Sequence, residues 1–300
     1  MPDQSLERAE KLLPAHIRRL TEKMPERRRI RTEEIRLRIG RAPSLVLPEG
    51  EEALEGRPVS AEDLVCVLEA ATSASLYAAA DSLRSGYITA PGGYRIGICG
   101  SGVMKNGELT GLRHISSLAI RIPHEVLTAA DDIADELQPG RECRSMLILS
   151  PPGGGKTTLL RDIVRRISSG PSGVRVALAD ERSEVAAVCG GVPQLNVGVR
   201  TDVIDACPKA QAVMMLVRSM RPEVIAMDEI TAPEDISAIE AAANCGVGLL
   251  ATAHAGGIAD LRTRPLYRRL LSTGIFTDAA VIERAQGKRR CRIAPLDAAC

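Results

Sequence analysis

Residues 150 to 158 read Ser-Pro-Pro-Gly-Gly-Gly-Lys-Thr-Thr. The apolar run Met146-Leu147-Ile148-Leu149 precedes them, and the helix-favouring stretch TLLRDIVRRIS follows. Strand, glycine-rich loop and helix in that order make an anion cradle. Backbone N–H groups turn inward, glycines admit the dihedrals and the helix N-terminus adds a positive dipole. In such a cradle Pro152, Gly153, Gly154, Gly155, Lys156, Thr157 and Thr158 would wrap the phosphates of ATP. Lys156 would reach the β- and γ-phosphates, and Thr157 would offer its hydroxyl to Mg²⁺. Ser150 stands where the usual pattern has glycine. That position is farthest from the phosphates, where a small residue can turn. The competing reading, a glycine turn with a solvated lysine, is disfavoured by the strand–loop–helix context.

Hydrolysis needs a carboxylate near the metal and another to activate water. The stretch VIAMDE, residues 224 to 229, ends a buried apolar run in both. Asp228 is expected to hold Mg²⁺ through water, and Glu229 to polarise the attacking water. A strand ending in a polar turn is the plainer reading of any single Asp-Glu. The adjacent glutamate favours hydrolysis over phosphoryl transfer to a small acceptor. GLLATAH ends at His254, placed to touch a γ-phosphate or simply to cap the Gly-Gly turn that follows. Asp180-Glu181-Arg182-Ser183-Glu184 closes another strand, with Glu184 a second candidate for activating water and Glu181 reading as a solvated acid. Ligands of parallel α/β sheets bind at the carboxyl ends of the strands, so these segments should converge. Among Arg113, Arg121, Arg200, Arg218 and Arg221, any one reads first as a surface ion pair. Arg121, inside LAIRIP and close to a Pro-Gly junction, stands out as a candidate in-trans arginine.

The elements that must position these groups fall into two textures. Residues 1–138 read as a smaller α+β domain. It has an amphipathic helix broken at Pro14, short strands EIRLRIG and SLVL, and a helix capped by Ser60 and running through LVCVLEAATSASLYAAADSLRSG. The hairpin GYITAPGGYRIGIC and the strand LAIRIP complete it. Residues 139–300 alternate strands and helices, the pattern of a parallel sheet covered on both faces. The 300 residues carry a formal net charge of +1, with no Trp and one Phe. Neither a basic field nor a stacking platform for nucleic acid is supplied. The 8 cysteines form no C-x-x-C pair and read as reduced residues of a cytoplasmic protein. The charged N-terminus lacks a signal-peptide core, and no apolar run reaches the length of a membrane span.

With these residues in hand, the chain resembles the stage III sporulation protein AA family, ATPases related to secretion and pilus motors. The carriers are EIRLRIGRAP (34–43), GYITAPGGYRIGICG (86–100), ISSLAIRIP (115–123) and SPPGGGKTTLLRD (150–162). ADERSE (179–184), GVRTDVIDACPKAQAVMMLVRSMRPEVIAMDEI (198–230) and ATAHA (251–255) complete them. The resemblance implies a RecA-like P-loop NTPase domain after an α+β domain. Lys156 and Thr157 would serve as the nucleotide loop and Asp228 with Glu229 as the magnesium and hydrolysis pair. DERSE and TAH would match the acidic and histidine boxes of secretion ATPases. It also implies a Mg²⁺-dependent ATPase acting as a homo-oligomeric ring, a hexamer, whose N-terminal domains close over ATP. The expected place is the mother-cell cytoplasm, at the periphery of a membrane-embedded channel or export complex leading to the forespore. A nucleic-acid-dependent RecA-like motor is the alternative, disfavoured by charge and aromatic content, and no nucleic-acid partner is expected.

Overall fold

The computed structural model describes residues 5–72, 86–123, 126–133, 145–170, 173–285 and 288–296. It divides into two compact units, one of residues 1–124 with 187–194 and one of residues 125–186 with 195–300.

In the first unit Pro14 separates α1 (Ser5–Glu10) from α2 (Ala15–Glu22), and α3 (Glu26–Arg29) follows. Then come β1 (Glu34–Arg38), β2 (Ser44–Leu47), β3 (Gly50–Ala53), α4 (Ala61–Ala71), β4 (Tyr87–Ala90), β5 (Tyr94–Lys105) and β6 (Glu108–Arg121). The strands form one antiparallel sheet in the order β3-β2-β1-β6-β5-β4. Alternation sets its buried face: in EIRLR, Ile35 and Leu37 are fully buried while the charged residues between them reach solvent. That face packs with Leu6, Ile17, Leu64 and Val67 of the helices. Ser60 caps α4 in a capping box with Asp63. Residues 73–85, where the sequence suggests that this helix continues, lie outside the described residues, as does the Pro139-Gly140 junction. Residues 187–194 join this unit, where the Gly92 N–H donates to Gln194 Oε1 at 2.7 Å.

The second unit holds β7 (Met146–Ser150), α5 (Lys156–Ser168), β8 (Val176–Asp180), β9 (Thr201–Asp205), α6 (Lys209–Met220) and β10 (Val224–Glu229). It continues with α7 (Pro233–Asn244), β11 (Gly248–His254), α8 (Ile258–Thr263), α9 (Pro265–Ser272), β12 (Asp278–Ala285) and β13 (Lys288–Pro295). The sheet order is β13-β12-β7-β11-β10-β8-β9, parallel throughout except for β13. Helices cover both faces of such a sheet, so its inner strands are apolar without alternation. MLILS and VALAD are buried at every position. This is the mixed α/β fold that the strand–helix alternation predicts. No helix among the described residues is long and apolar enough to cross a membrane.

Candidate active site

The loop between β7 and α5 takes its shape from three glycines and a serine. Gly153 and Gly155 have φ of +69° and +99°, left-handed conformations that side chains rarely adopt. Gly155 is also the N-cap of α5. A Cβ on Gly154 would fall 1.5 Å from Ser150 Oγ. Ser150 itself is buried and donates to the Pro151 carbonyl at 3.0 Å. Serine at the first position therefore fills the floor beneath the loop, and Gly154 makes the room for it.

Loop and strand ends line a cleft of about 440 Å³. Gly153, Gly155, Lys156, Thr157 and Thr158 border it, with Glu184 from the turn after β8, Asp228 and Glu229 from β10 and His254 from β11. Pro152 and Gly154 belong to the loop without lining the cleft, and Arg121 is not among the lining residues. Arg121 lies in the first unit, where its Nε is 3.3 Å from Glu34 Oε1. Arg200 donates to the carbonyls of Ser168 and Gly170, which satisfies the end of α5.

Three charged or polar groups join in series at the bottom of the cleft. Lys156 Nζ lies 2.7 Å from His254 Nδ1, and His254 Nε2 lies 2.6 Å from Glu229 Oε2. An ammonium can only donate, so Nδ1 accepts and Nε2 carries the proton toward the carboxylate. Burial draws the Lys156 ammonium below its ordinary pKa, against the opposing pull of Glu229 and Asp228. Tyr267 fixes the histidine from behind. Its hydroxyl accepts from the His254 backbone N–H at 3.1 Å and donates to the Ile230 carbonyl at 3.4 Å, which fixes the main chain at this position.

Consecutive strand residues point to opposite faces, so Asp228 and Glu229 should not both reach one cleft. The ladder resolves this with an irregularity: Met227 pairs with Ala251, and the next pair is Glu229 with Thr252. Asp228 is the residue passed over, and the bulge turns both carboxylates toward the cleft. Asp228 is pushed up to about 6, by burial first and then by the Asp180, Glu184 and Glu229 carboxylates. Asp180, fully buried, accepts the N–H groups of Glu184, Val185 and Ala186 and so shapes the acidic turn. Arg161 of α5 ties that turn to the cradle helix through the Glu184 and Val185 carbonyls.

Sequence reasoning missed two cations and the bulge. Lys209, buried at the start of α6, lies 2.6 Å from Glu181 Oε2, so Glu181 is paired in an ion contact. Arg289 of β13 donates to the Gly153 carbonyl at 3.3 Å. A single basic residue far along the chain gives no signal of either position. The donor set fits a hard divalent cation, since the Thr157 hydroxyl and the Asp228 carboxylate face one cleft and the mutual repulsion of its carboxylates is what a cation relieves.

Asp228 links the site to stability. Its folded pKa lies above the ordinary value of 3.8, so the proton it keeps stabilises the fold at low pH, and that contribution is lost as pH rises through about 6. At about pH 7.5 the ionised, crowded carboxylate burdens the ligand-free protein. Asp228→Asn should then be more stable than the parent by on the order of 1–2 kcal/mol, an advantage that vanishes below about pH 4. Thermal melts across pH check this. An Asn variant that melts lower at neutral pH would show that Asp228 is not under electrostatic strain.

The family model described as sporulation stage III, protein AA, matches residues 3–293 of the chain. Stage III sporulation protein AA of Bacillus subtilis is 38% identical over 279 residues, covering 92% of this chain and 90% of that protein. Protein SEEDLING PLASTID DEVELOPMENT 1 of Arabidopsis thaliana is 28% identical over 240 residues; the match covers 79% of this chain and 32% of that longer protein. Among solved structures, the ATPase DotB of Legionella pneumophila superposes with a TM-score of 0.57 at 18% identity, covering 97% of this chain and 79% of that one. The pilus retraction motor PilT with bound ADP gives 0.56 at 15% identity, covering 87% and 78%. At these identities the likeness establishes a shared fold, the RecA-like P-loop fold.

Proposed function

The chain belongs to the stage III sporulation protein AA family, and from that premise we propose that it is a Mg²⁺-dependent ATPase working as a ring motor. The observation that carries this reading is the convergence of Lys156, Thr157, Asp228, Glu229 and His254 on one cleft at the carboxyl edge of the parallel sheet. The loop amides and the α5 N-terminus hold the polyphosphate. Lys156 leaves His254 Nδ1 for the γ-phosphate, and the His254 ring keeps its bond to Glu229. Glu229 orients water and takes its proton. Bound Mg²⁺, held by Thr157 and Asp228, would neutralise charge on the β- and γ-phosphate oxygens. Glu184 stands by as the alternative base. In the same reading residues 139–300 are the ATPase domain and residues 1–138 the domain that closes over nucleotide. Copies assemble as a hexamer, and Arg121 stabilises transferred charge in a neighbouring subunit. By resemblance the ring sits in the mother-cell cytoplasm against a membrane-embedded channel to the forespore, and uses no nucleic acid.

The test pairs ATPase rate with oligomeric mass, with and without a non-hydrolysable ATP analogue. Turnover should require Mg²⁺, the analogue should favour a ring-sized species, and single-stranded DNA should leave the rate unchanged. Arg121→Ala should retain ATP binding and lose turnover roughly 10²-fold or more. Full turnover by a monomer, with Arg121→Ala as active as the parent, would dismiss the ring. Stimulation by DNA would favour a nucleic-acid motor instead.

A further inference from the structure

β12 runs parallel to β7, with Ala280 opposite Ile148 and Val281 opposite Leu149, so its carboxyl end passes the sheet edge that carries the phosphate loop. β13 returns antiparallel, setting Arg289 opposite Arg284 and Cys291 opposite Ile282. Arg289 is thereby brought into the cleft beside the loop. A Cβ on Gly155 would come 2.7 Å from Arg289 Nη1. Glycine at 155 thus admits the guanidinium as well as the turn of the chain. Arg292 pairs with Glu283 at 2.9 Å, but among the described residues no carboxylate pairs with Arg289. Its hydrogen bond is the 3.3 Å contact to the Gly153 carbonyl, long for a charged donor. An uncompensated planar guanidinium lying against an anion-binding loop has the geometry to take two phosphate oxygens at once.

We propose that Arg289 is a phosphate-binding residue of this cleft. It exchanges the Gly153 carbonyl for oxygens of a nucleoside di- or triphosphate held in its own subunit. The proposal rests on the nucleotide reading of the site and adds to it a cation supplied in cis, from the last strand of the described fold. The C-terminal hairpin then becomes part of the binding site.

The experiment measures affinity for MgADP and for inorganic pyrophosphate by calorimetry, using the full chain. Arg289→Ala should weaken both about 10- to 100-fold, and Arg289→Lys should recover part of the loss. Arg290→Ala, an exposed neighbour on the other face of the strand, should leave both unchanged. If alanine disturbs the hairpin, Arg289→Gln keeps a polar head of similar reach and should still lose affinity. Parental affinity for both ligands in Arg289→Ala or Arg289→Gln overturns the proposal. Weakened MgADP with unchanged pyrophosphate also overturns it, because the contact would then be to base or ribose. Loss of binding in Lys156→Ala alongside full binding in Arg289→Ala would leave the nucleotide reading standing and remove this one. A parent protein that binds neither ligand removes both.

Discussion

Lys156→Ala should abolish tight ATP binding, and with it all turnover. The cleft gathers Glu181, Glu184, Asp228 and Glu229, so without its central cation it would repel a polyphosphate. Lys156 is buried and its ammonium meets His254 Nδ1 at 2.7 Å, directly beneath the loop. Arg289 approaches the loop from the hairpin side, and Lys209 is engaged by Glu181. Neither is placed to replace it. A loss of about 10²-fold or more in affinity is expected from removing one desolvated, charge-assisted contact and leaving its acidic surroundings unbalanced. The variant should still fold, since burial already disfavours the ammonium and alanine suits a helix start. Calorimetric titration with MgATP, beside a thermal melt, is the measurement. A folded Lys156→Ala protein with parental affinity and turnover would end the nucleotide-site reading.

Glu229→Gln should separate binding from chemistry. The amide fills the same space, and its carbonyl can still accept from His254 Nε2, which lies 2.6 Å from Glu229 Oε2 in the parent. Lys156, Thr157 and Asp228 are untouched, so MgATP should bind at least as tightly. An amide cannot take a proton from water, and hydrolysis should fall by roughly 10²- to 10⁴-fold. Single-turnover assays report the chemical step directly. Normal hydrolysis in Glu229→Gln with a dead Glu184→Gln would move the base to the acidic turn shaped by Asp180.

The sequence makes the interior of the parallel sheet plain because strands buried on both faces read as unbroken apolar runs. MLIL, VALA and VIAM each became a central strand. β9 escaped notice because it is an edge strand: TDVID is mostly half-buried and too polar to stand out. The long excursion of β5 and β6 extends past the readable GYRIGIC and LAIRIP segments into residues exposed on both faces, where no alternation marks a strand. At the site, residue types and order suggested the cradle and its carboxylates. Their geometry depended on features that leave no local pattern. The passing-over of Asp228 is set by pairing with β11, and the arrival of Arg289 by the pairing of β12 with β7. Asp180 looked like one of several acids, yet its three N–H contacts make it the organiser of the turn.

The place of β7 in the sheet bears on when the protein can first act. β7 lies between β11 and β12. Its Leu147 therefore pairs with Ala251 and Ala279, both more than about a hundred residues further along the chain. During synthesis the cradle strand leaves the ribosome with neither neighbour yet made, as an apolar ribbon with open edges. The β8–β10 layer can assemble earlier, but the glycine loop is held in place only once β11 and β12 flank it. A nascent chain thus carries the complete phosphate-loop motif well before it owns a pocket. The order of strands thus delays the candidate cleft until β11 and β12 are in place beside β7.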